Sequence, residues 1–249
     1  MEFRTTLNPS EFAQTIGYQS NTLLLGSCFT ENIGRKLKEH SYNCLINPCG
    51  ILYNPMSVAN TLDILRQKQH ISSADLFDYN AQWHSFAFHS RYSASTAADA
   101  TQKMNKSIEQ GHQYLYNTQH LIITWGTAWC YKHIETNQVV ANNHKLPDSK
   151  FQRIFLQPEE IVATYKPLIK ALREINPEIH IILTISPIRH LKDGHHGNQL
   201  SKSSLLLAAN EIQQQFPSID YFPAYEIQLD DLRDYRFYAA DMLHPNELA

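Results

Sequence analysis

Two short stretches, far apart in the chain, carry residue types that together can perform nucleophilic catalysis. Ser27 and Cys28 follow an apolar run and a glycine in TLLLGSCFT, and either side chain can attack an electrophile. Asp241 and His244 lie three residues apart, before a proline. At this spacing a carboxylate can orient an imidazole, which can then take the proton of a nucleophile supplied by another loop. The pattern favours a site built from a nucleophile, a histidine and an aspartate.

The residues around Ser27 and Cys28 predict where the nucleophile lies. Segment 22–37 reads as an apolar strand, a tight turn at 26–28 and an amphipathic helix with apolar residues every four positions. Such a turn lies at the carboxyl edge of a sheet, beside a helix N-terminus that favours negative charge. A strand–helix junction with small residues chosen for packing has the same pattern, so the turn alone does not establish chemistry.

Short apolar strands alternate with helices along the rest of the chain. The predicted strands are 22–25, 42–46, 120–124, 179–185 and 219–222, and the predicted helices after the first are 57–66, 97–116, 158–174 and 201–216. This alternation predicts an α/β fold, a three-layer α/β/α sandwich around a central, mostly parallel sheet. We expect one domain over residues 1–249, with a cap or insertion at 71–118. Residues 83–89 alternate as a strand would. Residues 132–150 are polar, with a loop expected at 142–145, and 189–199 is expected to be a polar loop.

Composition excludes several function classes. The chain has 249 residues and a net charge of −3 with 13 neutral histidines, which gives no electrostatic case for binding nucleic acid or acidic membranes. No basic start with an apolar run marks a signal peptide, and no apolar stretch approaches about 18 residues, so we expect a soluble, cytoplasmic protein. Four cysteines without CxxC spacing predict free thiols, not a disulfide framework or a zinc site. No metal or organic cofactor is implied, and the oligomeric state stays open.

The order of these segments resembles the SGNH (GDSL-like) hydrolase superfamily, and more closely the GSCFA domain family within it. The resemblance rests on GSCFT followed by ENIGRKL, with LYNPMSVAN, WHSFAFHSR, NNHKLP, SPIRHLKDG, NQLSK and YFPAYEI downstream, and it covers almost the whole chain. It implies an SGNH hydrolase-like, flavodoxin-like sandwich. It also implies sequence continuing beyond residue 249.

The resemblance assigns the catalytic residues. Cys28 stands in the nucleophile column, with Ser27 as the alternative if the turn is offset by one, and Asp241 and His244 complete the triad. A cysteine at a helix N-terminus next to a histidine is expected to have a lowered pKa, and a thiolate nucleophile shifts the chemistry toward thioester exchange.

The resemblance also implies an oxyanion hole, formed by the backbone N–H groups of Cys28, Gly50 and Gly126. Ala128 departs from the superfamily pattern, which has an asparagine there, and one lost side-chain donor is worth about 3–4 kcal/mol of transition-state stabilisation. The hole is then either rebuilt or catalysis is weakened. The candidates for a replacement donor are Asn142, Asn143 and His144.

Polar residues on two loops are candidates for substrate contact. Ser186, Arg189 and His190 follow the strand 179–185, and Asn143 and His144 lie in the polar region before it. An ion pair with a surface carboxylate is the alternative for Arg189. Trp83 and His84, from the predicted insertion, either close the pocket or belong to the core.

These observations support three functions. The leading hypothesis is an acyl hydrolase, of esterase or deacetylase type, acting on a small-molecule or carbohydrate ester. An acyltransferase on the same site is the second. The third is a non-catalytic binding domain that retains the pocket; Ala128 favours it, whereas Asp241 and His244 argue against it. A nucleotide-binding domain is a weak alternative, because neither GxGxxG nor GxxxxGK[ST] follows a strand.

Overall fold

The structure, a computed structural model, describes residues 5–12 and 14–249. Its strands in chain order are β1 (Thr22–Gly26), β2 (Cys44–Ile46), β3 (Phe77–Tyr79), β4 (Gln82–His84), β5 (His120–Trp125), β6 (Trp129–His133), β7 (Gln138–Val140), β8 (Phe151–Phe155), β9 (His180–Ile185) and β10 (Asp220–Phe222). Its α-helices are α1 (Cys28–Glu39), α2 (Pro55–Gln67), α3 (Ala97–Tyr116), α4 (Pro158–Ile175), α5 (Gly194–Gln215) and the single turn α6 (Ala224–Glu226).

Five strands form a central, wholly parallel sheet in the order β10-β9-β5-β1-β2. Numbered within the sheet, this is the flavodoxin-like order 2-1-3-4-5. From β1 the chain forms β2 on one side of β1, and then crosses back to form β5 on the other side. Because the direction of strand addition reverses here, a crevice opens beyond the carboxyl ends of β1 and β5. The predicted α/β sandwich with a parallel sheet is confirmed.

Helices cover both faces of this sheet. Helix α1 packs on β1 and β2, and α4 packs between α2 and α5. Alternate strand residues share a face, so Leu23 and Leu25 of β1 pack into the same core as α2 to α5, while Leu24 faces the other side. Because both faces are buried, these strands appear in the sequence as continuous apolar runs.

A second, antiparallel sheet of β7, β6 and β8 follows β5. Residues 142–145 are irregular chain, as expected, but the polar region 132–150 also holds the end of β6 and all of β7, which were not predicted. Lys132 and Gln152, which pair across β6 and β8, interrupt the apolar run that would mark a buried strand in the sequence. The strand predicted at 83–89 is shorter than expected, because a turn from Ser85 to Phe88 ends it after β4.

Two helix starts differ from the prediction. Helix α2 begins at Pro55, with Asn54 as its N-cap, instead of at residue 57. Helix α5 begins at Gly194, so the polar loop after β9 is shorter than expected. Within segment 71–118, α3 packs against α2 and adds Met104 and Ile108 to the main core. A capping role for that segment stays a prediction.

Candidate active site

The turn between β1 and α1 presents Cys28 at the carboxyl edge of the sheet. Gly26 has φ of +146°, and a Cβ there would lie 2.2 Å from the carbonyl oxygen of Thr124 in β5. Only glycine permits so close an approach in that backbone conformation. Two residues later, Cys28 is the first residue of α1, where backbone N–H groups have no partner within the helix.

Cys28, His244 and Asp241 form one continuous chain of contacts. Cys28 Sγ lies 3.6 Å from His244 Nε2, and His244 Nδ1 lies 2.6 Å from Asp241 Oδ2. The other carboxylate oxygen of Asp241 accepts the backbone N–H groups of Leu243 and His244, at 2.9 and 3.0 Å. With its proton on Nδ1 toward Asp241, the imidazole offers Nε2 as an acceptor for the thiol proton.

The pKa shifts within this series of contacts favour a neutral Cys28 thiol and a charged Asp241 carboxylate. Burial raises the pKa of Cys28, although its own N–H, that of Phe29 and the ammonium of Lys202 act in the opposite direction. This differs from the expected lowered pKa, because desolvation outweighs the helix N-terminus. The N–H groups of His244 and Leu243, with the imidazole, lower the pKa of Asp241 to about 2. In this arrangement Nε2 of His244 is placed to accept the proton of the neutral thiol.

Ser27 occupies a different environment from Cys28. The residue is 1% exposed, and its hydroxyl is enclosed without a hydrogen-bond partner in the described part of the chain. The structure thus brings the sulfur of Cys28, and not the hydroxyl of Ser27, to the imidazole.

Arg189 holds the segment that carries His244. Its backbone N–H donates to the carbonyl of Leu243 at 3.2 Å, and its guanidinium donates to the carbonyl of Met242 at 3.3 Å. The guanidinium also lies 4.1 Å from the ring centre of Tyr238. Arg189 lines the cavity as well, so its predicted contact with substrate stays a prediction.

A cavity of about 490 Å³ opens above Cys28 and His244. The antiparallel sheet supplies one wall, the loop after β9 another, and the segment before α2 a third. Trp129 and Tyr131 on the first wall stack on the guanidinium of Arg153, which is paired with Asp193. The lining residues are Cys28, Tyr53, Asn54, Thr127, Trp129, Tyr131, Val140, Ala141, Asn142, Asn143, Arg153, Ile188, Arg189, His190, Leu191, Lys192, Asp193, Leu243 and His244.

The predicted substrate contacts divide into two groups. Asn143, Arg189 and His190 line the cavity, although Nε2 of His190 is enclosed and burial lowers the pKa of that imidazole to about 3. His144 and Ser186 do not line it. The ring of His144 contacts the Ser85 carbonyl at 2.8 Å and the Ser90 hydroxyl at 3.1 Å, and Ser186 is fully buried. His84 is buried as well and bonds to Ser93 and Tyr79, whereas the ring of Trp83 packs against the core.

Two of the three predicted oxyanion donors are already engaged. The N–H of Gly50 donates to the carbonyl of Asn47 at 2.8 Å, and that of Gly126 donates to the carbonyl of Tyr53 at 2.8 Å. In this arrangement neither amide is free to bind an oxyanion, which differs from the prediction. Of the three, the N–H of Cys28 remains. Ala128 is buried and donates its N–H to Ser201, so it contributes nothing to the cavity.

Lys202 is a buried cation that sequence reasoning missed. Its ammonium donates to the carbonyl oxygens of Gly126 and Ser186, both at 2.6 Å, behind the site. Burial lowers the pKa of Lys202 to about 7. The sequence signal for this cation was a lysine among the small and apolar residues of SKSSLLLAA. Lysine is rarely fully buried, so its presence in such a segment is unusual.

Three further properties of the described residues bear on function. Within residues 5–12 and 14–249, no group of three or more His, Cys, Asp or Glu side chains is placed to hold a metal ion. No helix in the same part of the chain is long and apolar enough to cross a membrane. All four cysteines are free thiols.

The fold and these contacts define an α/β protein with a Cys–His–Asp arrangement at the carboxyl edge of its parallel sheet. The GSCFA family model matches residues 21–249, and the chain belongs to the GSCFA family. No curated protein matches the sequence significantly. Among solved structures it is similar to an acetyl xylan esterase (Est2A) from the rumen bacterium Butyrivibrio proteoclasticus, with 10% identity and a TM-score of 0.38. That match covers 86% of this chain, which spans 57% of the length of the esterase.

Proposed function

We propose that this protein is an acyl hydrolase of esterase type, in which Cys28 is the nucleophile, His244 the general base and acid, and Asp241 the residue that orients His244. One observation carries the proposal: the contacts from sulfur to imidazole to carboxylate are continuous and open onto the cavity. A carboxylate that fixes the imidazole tautomer is the requirement for proton transfer in this kind of site.

The acylation step uses the thiol proton and the ester. The sulfur of Cys28 attacks the carbonyl carbon while its proton passes to Nε2 of His244, and the carbonyl electrons move onto oxygen to form an oxyanion. When the carbonyl re-forms, the bond to the alcohol oxygen breaks, and the imidazolium of His244 protonates that oxygen. A thioester on Cys28 and a free alcohol result.

Deacylation repeats the same proton transfers with water. His244 takes a proton from water as the water oxygen attacks the thioester carbonyl. The carbon–sulfur bond then breaks, the carboxylic acid leaves, and the sulfur regains its proton from the imidazolium. If an alcohol takes the place of water, the same site is an acyltransferase.

The cavity wall supports a small-molecule or carbohydrate ester as the substrate. Trp129 and Tyr131 provide aromatic surface, and the ion pair of Arg153 with Asp193 provides polar groups beside it. Aromatic faces with a few fixed polar groups suit the apolar face and the hydroxyls of a sugar ring. Four free thiols fit the proposed cytoplasmic location.

A binding domain without catalysis is the second candidate function. It is favoured by Ala128, which has no side-chain donor, and by the engaged amides of Gly50 and Gly126. In that case the cavity binds an acylated ligand but does not cleave it.

Hydrolysis of p-nitrophenyl acetate separates the two candidates. We expect the wild-type protein to release p-nitrophenol with an acetyl group found transiently on Cys28 by peptide mass spectrometry. Cys28→Ala should abolish both signals, whereas Ser27→Ala should keep them. Absence of turnover and of acetyl-Cys28 in the wild-type protein would refute the hydrolase; acetylation or fluorophosphonate labelling of Ser27 would move the nucleophile by one residue.

A further inference from the structure

The proposed acylation step leaves the oxyanion short of donors. Of the three predicted backbone amides, the N–H of Cys28 has no backbone partner in the described part of the chain, whereas those of Gly50 and Gly126 are bonded to loop carbonyls. Removing one donor from such a hole typically costs about 10²–10³-fold in kcat. From the placement of the next residues along the same loop, we infer that Asn54 is a catalytic residue whose side-chain N–H₂ binds the oxyanion; this inference rests on the proposed hydrolase function.

The loop that carries Asn54 is fixed against the nucleophile turn. The N–H of Gly26 donates to the side-chain oxygen of Asn47 at 2.9 Å, and the N–H of Leu52 donates to the carbonyl of Gly26 at 2.9 Å. The next residue, Tyr53, accepts the N–H of Gly126. Asn54 therefore lies between the ends of β1 and β5, and it lines the same cavity as Cys28.

Helix capping determines which end of the Asn54 amide faces the cavity. Asn54 is the N-cap of α2, and its Oδ1 accepts the N–H of Ser57 at 2.8 Å. Only the oxygen can accept that bond, so Nδ2 must point away from the helix. Nδ2 has no partner among the described residues, and it is not one of the fully enclosed polar atoms there. The N–H₂ group is thus open to the cavity.

The arrangement is preorganised. Asn54 is buried, with 5% of the residue exposed, and its side chain is held by the cap, so it needs no reordering when negative charge develops on the substrate. Donors fixed in this way stabilise a transition state without a reorganisation cost. Asn54 thereby supplies the side-chain donor that Ala128 lacks, from a different loop.

The other candidate donors are placed less well. Asn142 and Asn143 line the cavity, but their side-chain oxygens accept the N–H groups of the turn that follows them, at 2.8 and 3.2 Å, and this turn is not bonded to the nucleophile loop. Nε2 of His190 is fully enclosed, so a substrate oxygen cannot reach it without movement.

A serine substitution separates catalysis from capping. Ser is as good an N-cap as Asn, so Asn54→Ser keeps the cap and removes the N–H₂ group, whereas Asn54→Ala removes both. With p-nitrophenyl acetate we expect kcat to fall about 10²-fold in both variants with little change in KM. Thermal stability should fall in Asn54→Ala alone. Asn117→Ser, at the exposed C-terminal end of α3, is the matched control and should hydrolyse at the wild-type rate.

The alkylation rate of Cys28 is a second readout. If Asn54 had only a structural role, its substitution would lower the alkylation rate and the esterase rate together. Reaction of Cys28 with iodoacetamide forms no oxyanion, so we expect Asn54→Ser to be alkylated at the wild-type rate while its esterase rate falls. The assignment would be overturned if Asn54→Ser kept the wild-type kcat, or if its alkylation rate fell as much as its esterase rate. If the esterase rate fell in Asn142→Ser alone, the role would belong to Asn142. If the wild-type protein itself does not hydrolyse the ester, the proposed function fails, and the inference fails with it.

Discussion

His244 Nε2 lies 3.6 Å from Cys28 Sγ, although the two residues belong to parts of the chain with very different support. Cys28 begins a helix packed on the central sheet, whereas His244 lies in irregular chain after β10. The site therefore joins a rigidly held thiol, the proposed nucleophile, to an imidazole, the proposed base, whose segment is held by a few hydrogen bonds and by Arg189 stacked on Tyr238.

Iodoacetamide should alkylate Cys28 well before the other three cysteines. Cys28 lines the cavity, whereas Cys44, Cys49 and Cys130 are buried, and burial raises the pKa of Cys49 to about 12. Intact mass and peptide mapping after limiting reagent measure the order. His244→Ala should slow the reaction of Cys28, because the thiol then lacks its base. Equal reactivity of all four thiols would contradict an accessible, assisted Cys28.

Asp241→Asn should lower kcat strongly and leave stability almost unchanged. An asparagine can still accept the backbone N–H groups but presents N–H₂ to Nδ1 of His244, which turns the imidazole to the tautomer with its proton on Nε2. That nitrogen can no longer accept the thiol proton, so we expect a fall of about 10²–10⁴-fold in ester hydrolysis. Asp99→Asn, in the exposed first turn of α3, is the control. A wild-type rate in Asp241→Asn would remove Asp241 from the mechanism.

Lys202→Met should remove part of the pH dependence of folding. The pKa of Lys202 is lowered from 10.5 to about 7 in the folded chain, so between these values the unfolded chain binds more protons than the folded one. The free energy of unfolding of the wild-type protein therefore rises with pH across this window, by at most about 5 kcal/mol from this group. Urea unfolding at several pH values measures how steeply the free energy of unfolding rises with pH. This slope should be smaller in Lys202→Met and unchanged in the control Lys166→Met, on the exposed surface of α4. Parallel curves for all three proteins would show that Lys202 is not desolvated.

Ala128→Asn should destabilise the protein without restoring activity. Ala128 is fully buried in the main core and does not line the cavity, so a larger polar side chain there meets packed atoms instead of substrate. We expect a loss of about 1–3 kcal/mol in the free energy of unfolding and no gain in kcat. Chemical denaturation and the p-nitrophenyl acetate assay test both parts. A gain in kcat would show that this position reaches the oxyanion after all.

The sequence predicts the central sheet well because its strands are buried on both faces. Strands β1, β5 and β9 appear as uninterrupted apolar runs, and α3 coincides with its predicted range because its apolar residues keep helical spacing from Thr96, its N-cap, onward. The antiparallel sheet was not predicted, since alternation with polar residues such as Lys132 resembles a loop.

The candidate site was predicted only where side-chain identity decides the role. Cys28, Asp241 and His244 are chemically distinctive, and the structure brings them together. The availability of the Gly50 and Gly126 amides depends on which carbonyl each one meets across a loop, and no residue pattern encodes that contact. Asn54 was not predicted either. The orientation of its side-chain amide depends on its position as the N-cap of α2, and the sequence pattern placed the start of that helix two residues too late.

The attachment of His244 implies that activity and global folding have separate temperature limits. The segment that carries the imidazole is tied down by contacts such as the Ala239 N–H to the His244 carbonyl at 2.8 Å, and by the guanidinium of Arg189 on Tyr238. Such a segment opens at a lower free energy than a sheet buried on both sides. Heating should therefore abolish the proposed ester hydrolysis reversibly while the far-ultraviolet circular dichroism signal is still native, and cooling should restore turnover without refolding of the domain.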